Sequence, residues 1–469
     1  MTLRVLHYAD LEAAYDVPER VGRLVTAIDE LRDEHTVVTG GGDTTGPCVL
    51  SMATGGEQAL DFFESVQPDV DVFGNHEFDD SPARARELAR DSPQTWLNAN
   101  VFDDGVRFAR EETDPVTVVE TAEASVGLFG LSPPDLADIK PHLDFEMTDP
   151  VEAATDATRL IRDQYDVDHV VGISHCGDDT DLAEHIDAAA VLGGHDHEIR
   201  DEVVAGTRLV RTGAAGRYLV EVRIEDDGST NTRWHDVTAF EPDEDITAAL
   251  RDRLADLGLG ETVTRIDGPV SRDVRDGASP VGTFVAEAFR RAGEGRNADV
   301  GLINSLTMRD CGVPLDGEVT LADLHSLVPF GGELVTLELT GADLRAVAKE
   351  AAGWHLDRDI ELWNGQLAGL ELTWDAPGGR VDSLAVAGEP VVADGDLVAP
   401  DQQFTMTTIR YLAVEDVEYP TLTEDQVVAE PGAVHDAMAA QAREHGIPTR
   451  PPGWLTRRHG DEKPKPTSR

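Results

Sequence analysis

Five short apolar runs in the first half of the chain each end at a polar cluster rich in metal-ligand side chains. Residues 3–6, 36–39, 70–73, 170–173 and 189–192 are apolar or β-branched, with the length and composition of buried strands. Close behind them come Asp10-Leu11-Glu12, Gly42-Asp43, Gly74-Asn75-His76-Glu77, Ser174-His175 and Gly194-His195-Asp196-His197. Val21, Leu24, Val25, Ile28 and Leu31 recur at helical spacing after Pro18, and Ser81-Pro82 opens a second helix running to about Arg90. Strands alternating with helices predict an α/β sheet, whose ligands gather beyond the carboxyl ends of the strands. All five clusters fall at that position. Their carboxylate, amide and imidazole groups suit a pair of borderline divalent cations. The glycines serve the tight turns between strand and cluster.

Composition narrows the remaining classes. A chain of 469 residues is too long for one core and suggests about two or three domains. No run has the apolar length of a membrane-spanning helix. The first strand begins at once, without a basic and apolar leader, so a cytoplasmic protein is expected. The formal net charge is −52, and lysine occurs only at Lys140, Lys349, Lys463 and Lys465. Acidity spread along the whole chain fits a high-salt cytoplasm, where repulsion between carboxylates is screened. It also excludes nucleic acid as a partner, since phosphate backbones need a basic track. Cys48, Cys176 and Cys311 are too scattered for a disulfide framework. Cys176 reads as a small buried thiol facing away from His175.

With those residues on the page, the chain resembles the calcineurin-like metallophosphoesterases. Within them it is most similar to the two-domain 5′-nucleotidase and UDP-sugar hydrolase branch, of a haloarchaeal type. Flanking text agrees, including the Leu-His ahead of Asp10, Gly-Gly-Asp-Thr at 41–44 and Glu-Phe-Asp at 77–79. One position departs: the family's first-motif histidine is Glu12 here. The resemblance implies an N-terminal α/β/β/α sandwich over residues 1–240, a linker helix over 241–260 and a C-terminal α+β domain over 261–447. Residues 448–469, rich in proline and charge, read as a disordered tail.

The same resemblance implies two divalent ions, with Mn²⁺ preferred and Mg²⁺, Co²⁺, Fe²⁺ or Zn²⁺ possible. Asp43 would bridge them. Asp10, Glu12 and His197 would complete one site, and Asn75, His175 and His195 the other. His76 would face the phosphate as a catalytic group, with Asp79 holding its imidazole.

In the C-terminal domain, Phe330 and Tyr411 fall where the family stacks two rings on a nucleobase. Arg275, Asn304, Arg309 and Asp416 fall at other substrate positions, whereas Arg272 and Arg410 read as surface charge. Ser305, Leu306 and Thr307 replace the family's glycine triplet. The expected activity is hydrolysis of nucleoside 5′-monophosphates by a water that two ions activate. The alternatives are another small phosphate ester, such as a cyclic nucleotide or nucleotide sugar, and a nucleotide-binding protein with a decayed metal site. The sequence leaves the oligomeric state open.

Overall fold

The computed structural model describes residues 2–140, 143–293, 297–356, 363–376, 378–415, 417–450 and 453–458. The chain divides into two units, Met1–Gly258 and Leu259–Arg469.

In the first unit, a seven-stranded sheet runs in the order Thr230–Asp236, Tyr218–Glu225, Thr2–Tyr8, Thr36–Gly40, Val70–Val72, Thr95–Leu97 and Thr113–Asp114. From Thr2–Tyr8 onward its neighbours are parallel, while Tyr218–Glu225 closes the other side antiparallel. A six-stranded sheet follows the order Ile199–Val204, Thr207–Thr212, Ala190–Gly193, His169–Ser174, Ser125–Leu131 and Val116–Glu120. Strand alternation decides how they stack. Leu3, Val5, Val37 and Val72 of the first sheet pack on Leu128, Val171, Ile173 and Leu192 of the second. Leu6, Tyr8 and Val38 point the other way, onto Leu24, Ile28, Phe62 and Leu250 of helices Pro18–Leu31, Gln58–Val66 and Glu244–Asp256. Phe129, Val170 and Val191 meet Ala154, Ile161 and Leu182 of Pro150–Gln164 and Thr180–His185. The result is an α/β/β/α sandwich. Each fully buried Leu, Val or Phe contributes roughly 1.5–3 kcal/mol to it. His7 joins the two sheets beneath the polar clusters, with Nδ1 2.9 Å from Thr39 Oγ1 and Nε2 3.4 Å from the Gly193 carbonyl.

Local signals explain the helix ends. Ser81 Oγ accepts the Arg84 N–H and Pro82 occupies the first turn, so the helix starts there and runs over Pro82–Asp91. Helix Glu244–Asp256, expected to link two domains, packs within the first unit instead. Its Ile246 and Leu250 enter the core and Arg253 Nε donates to Asp61 Oδ2 at 2.6 Å. The units part at 258–259, near the end of the 241–260 stretch expected to link them.

In the second unit, one five-stranded sheet runs Gly365–Ala368, Val300–Asn304, Gln403–Ile409, Glu333–Thr340 and Val427–Ala433. Another runs Asp396–Leu397, Glu389–Ala393, Arg380–Val386, Leu370–Asp375 and Leu455–Arg458. A single core joins them to helices Pro280–Arg291, Gly341–Glu350 and Val434–His445. The last strand corrects the expectation of a disordered tail from residue 448. Leu455–Arg458 pairs in parallel with Leu370–Asp375, and Trp454 buries its ring while its Nε1 donates to Thr283 Oγ1 at 3.0 Å. Proline and charge outweigh one tryptophan in composition, but not in packing. Among the described residues no helix is long and apolar enough to cross a membrane.

Candidate metal centre

The strands of both sheets in the first unit deliver their clusters to one place. Asp10 N donates to the Gly42 carbonyl at 3.0 Å, and Gly194 N donates to the Ser174 carbonyl at 3.0 Å. Asp10, Glu12, Asp43 and His195 all have left-handed backbone, with φ of 50°, 42°, 49° and 75°. For residues with a β-carbon this is strained, on the order of 1–3 kcal/mol each, and such strain collects at functional sites. The glycines allow the crowding. A β-carbon on Gly74 would lie 2.2 Å from Asp43 Oδ1, and one on Gly194 would lie 2.9 Å from Asp10 Oδ2.

Three overlapping groups have ligand atoms within 4.8 Å of one another: Asp10, Glu12 and His197; Asp43, His175 and His195; Glu12, Asp43 and His76. Glu12 Oε1 is 3.2 Å from His197 Nε2. His175 Nε2 is 3.0 Å from Asp43 Oδ2, while its Nδ1 is 2.6 Å from the Gly41 carbonyl. That second contact leaves Nε2 as the ring atom that could serve as a ligand. Asn75 Oδ1 lies 3.0 Å from His195 Nδ1. Asp10, Glu12 and Asp43 are each at most 2% exposed, so their charge needs a cation. Burial favours a neutral His175, yet Asp43 and Asp10 push it up to about 10. Asp10 Oδ2 is buried with no hydrogen-bond donor among the described residues. An orphaned buried carboxylate oxygen beside converging imidazoles fits divalent metal ions.

His76 stands at the edge of this centre. Its Nδ1 is 2.9 Å from Asp79 Oδ2, and its Nε2 is 3.8 Å from Glu12 Oε1. Burial works against ionisation of Asp79, but His76 and then Lys140 hold its carboxyl down at about 2. Glu77, in the motif but with no expected role, is the hub beneath the loops. Its carboxylate accepts backbone N–H groups of Asp43, Thr44, Thr45 and Gly74 at 2.7–3.1 Å. Cys176, expected to be buried, is only partly so, its Sγ–H donating to the Ser132 carbonyl at 3.4 Å.

In the second unit, the Arg309 guanidinium lies over the Phe330 ring, 5.3 Å from its centroid. Tyr411 opens the short helix Tyr411–Val414 and is 40% exposed. Arg275 is exposed. Asn304 is fully buried, its Nδ2 donating to Glu418 Oε2 at 2.9 Å, and Asn364 Nδ2 reaches the same oxygen at 2.8 Å. Asn364 and Glu418 have no spacing signal in the sequence, because the three meet from distant segments. Arg272 is a correction: it is buried at 5%, donating to Ser326 and Asp323, not surface charge. Arg410 is partly exposed and pairs with Glu424 at 2.8 Å. Ser305-Leu306-Thr307 forms a tight turn whose Ser305 Oγ donates to the Trp363 carbonyl at 2.8 Å. Asp416 lies outside the described residues.

Residues 259–424 match the family described as the 5′-nucleotidase C-terminal domain. The fold of the chain is similar to that of solved two-domain 5′-nucleotidases. A 5′-nucleotidase precursor from Thermus thermophilus superposes with a TM-score of 0.82 at 18% identity, over 97% of this chain and 99% of that one. A sulfate thiohydrolase, SoxB, gives 0.78 at 19% identity over 97% and 96%. Among curated relatives, the Crotalus adamanteus venom 5′-nucleotidase is 23% identical over 82% of this chain and 76% of its own length. Endonuclease YhcR of Bacillus subtilis is 23% identical over 86% of this chain and 35% of its own. The chain spans about a third of the length of the first curated relatives it matches.

Proposed function

We propose that the chain is a two-metal phosphoesterase that hydrolyses nucleoside 5′-monophosphates, working in a high-salt medium. The observation carrying this reading is the convergence of buried Asp10, Glu12, Asp43 and His175 with partly buried His195 and His197, with His76 beside them. Asp10, Glu12 and His197 would hold one ion, Asn75, His175 and His195 the other, with Asp43 between. Divalent ions held there would supply water activation and neutralisation of phosphoryl charge. Within the chain, the Gly41 carbonyl fixes the His175 ring and Glu77 fixes the Asp43 loop. His76 Nε2 faces the reacting side while Asp79 holds Nδ1, which suits proton donation to the departing oxygen. In the second unit, Phe330 and Tyr411 would stack on a base, and Arg275, Arg309, Asn304 and Asp416 would serve phosphate, ribose and base.

A second reading, another small phosphate ester, is favoured by the packed Ser305–Thr307 turn where glycines are usual. Released phosphate from a panel of nucleoside monophosphates, cyclic nucleotides, nucleotide sugars and p-nitrophenyl phosphate, in molar KCl with Mn²⁺, distinguishes the two. Asp43→Asn abolishes hydrolysis of every substrate, because a neutral amide cannot serve two dications. Normal turnover by that variant would place the chemistry elsewhere.

A further inference from the structure

Only four lysines stand in this chain against 91 acidic residues, and one of them reaches the flank of the metal centre. Lys140 ends the short helix Leu136–Ile139, and its Nζ donates to Asp79 Oδ1 at 2.5 Å. The pair is sheltered, with side chains 17% and 28% exposed. Asp79 divides its oxygens unequally. Oδ2 is 2.9 Å from His76 Nδ1, and Oδ1, the atom Lys140 holds, is 3.1 Å away.

Both oxygens lie within hydrogen-bond reach of the one His76 Nδ1, so the imidazole alone lets the carboxylate rock between them. A second donor on one of them stops this. Lysine suits this position better than arginine. An ammonium meets a single oxygen as a point charge, whereas the guanidinium fork tends to take both oxygens and would compete with the imidazole. With Asp79 fixed, its carboxylate accepts the His76 Nδ1–H, and the ring is aimed with Nε2, the nitrogen that would donate to the departing oxygen, toward Glu12 and Asp43.

We propose that Lys140 is a positioning residue for the reaction: it pins Asp79 by one oxygen and thereby aims His76. The proposal rests on the phosphoesterase reading and deepens it. It predicts that loss of Lys140 slows turnover through His76 alone, leaving the metal ions and substrate affinity in place.

The test is a double-mutant cycle in the metal-loaded full chain with a nucleoside 5′-monophosphate as probe, whose alkoxide leaving group needs a proton. Lys140→Met lowers kcat about 10-fold, the scale for partners that orient a functional group, with KM and metal content unchanged. Lys140→Arg restores little of it. In a His76→Ala background, Lys140→Met causes no further loss, because the two substitutions remove one function. Nitrogen-edited NMR of the histidine rings gives a readout apart from activity. The hydrogen-bonded Nδ1–H of His76 broadens or moves upfield in Lys140→Met. Unchanged kcat, or the same fold-loss with and without His76, overturns the proposal. If Lys140→Met does not fold, Lys140→Gln, whose shorter neutral amide removes the ammonium from Asp79, is read on the same scale. Failure here is distinct from failure of the phosphoesterase reading, which falls if the unaltered chain releases no phosphate or if Asp43→Asn retains hydrolysis.

Discussion

Glu12 places a carboxylate where the resemblance leads one to expect an imidazole, and its Oε1 sits 3.2 Å from His197 Nε2. Exchanging nitrogen for charged oxygen makes that side of the centre harder, which favours Mn²⁺ over Zn²⁺. Glu12→His is therefore expected to lower Mn²⁺ affinity and raise that for Zn²⁺, as read by calorimetric titration of the metal-free protein. Unaltered affinities for both ions would remove Glu12 from the centre. The metal-ligand types were legible in sequence because each follows a strand end, where topology alone brings them together. Glu77 was visible as a letter of a motif but not as a hub, since accepting four backbone N–H groups leaves no pattern in side chains. Lys140 could not be found, because its partner is 61 residues away and no spacing rule joins them.

At the scale of elements, the loop carrying Phe330 is braced from two helices. His435 Nε2 donates to the Val328 carbonyl at 2.8 Å, and the His325 and His435 rings stack at 3.9 Å. Phe330→Ala and Tyr411→Ala are expected to raise KM for nucleotides several-fold while sparing p-nitrophenyl phosphate, which has no base to stack; stacking on one base is worth ~1–3 kcal/mol. Equal losses on both substrates would make these rings structural. The histidine pair adds a pH dependence. Burial, then the stacked His435, pushes His325 down to about 4 from 6.5. Above pH 6.5 the folded and unfolded states are both neutral here and the stability is fully present. Between 6.5 and 4 the unfolded chain binds a proton that the folded chain refuses, so the second unit loses stability as pH falls. Denaturation followed by Trp354, Trp363, Trp374 and Trp454 fluorescence measures this, and His325→Gln flattens the slope over that window. Long amphipathic helices such as Pro18–Leu31 were readable from periodicity. The strand Leu455–Arg458 was not, because four residues offer no period and its partner strand lies far upstream.

For the whole molecule, the formal charge of −52 is the dominant fact outside the cores. Charges repel across about 10 Å at 0.1 M salt and about 3 Å at 1 M. The thermal midpoint of both units is expected to rise steeply with KCl through that range, as scanning calorimetry would register. A flat response would mean that the acidic surface is not an adaptation to salt. The presence of two units followed from length and motif content. The place of Glu244–Asp256 within the first unit did not, because the apolar face that commits it there looks in sequence like that of any amphipathic helix. The place of Thr2–Tyr8 in its sheet has a consequence for biosynthesis. On one side its partner, Thr36–Gly40, is made soon afterwards; on the other, Tyr218–Glu225 is made only near the end of the unit. An emerging chain therefore carries an open strand edge, flanked by Leu3, Val5 and Leu6, for most of the time the ribosome spends on this unit. Open edges of that kind pair with other chains, so crowded or slow translation is when this fold is most exposed to aggregation.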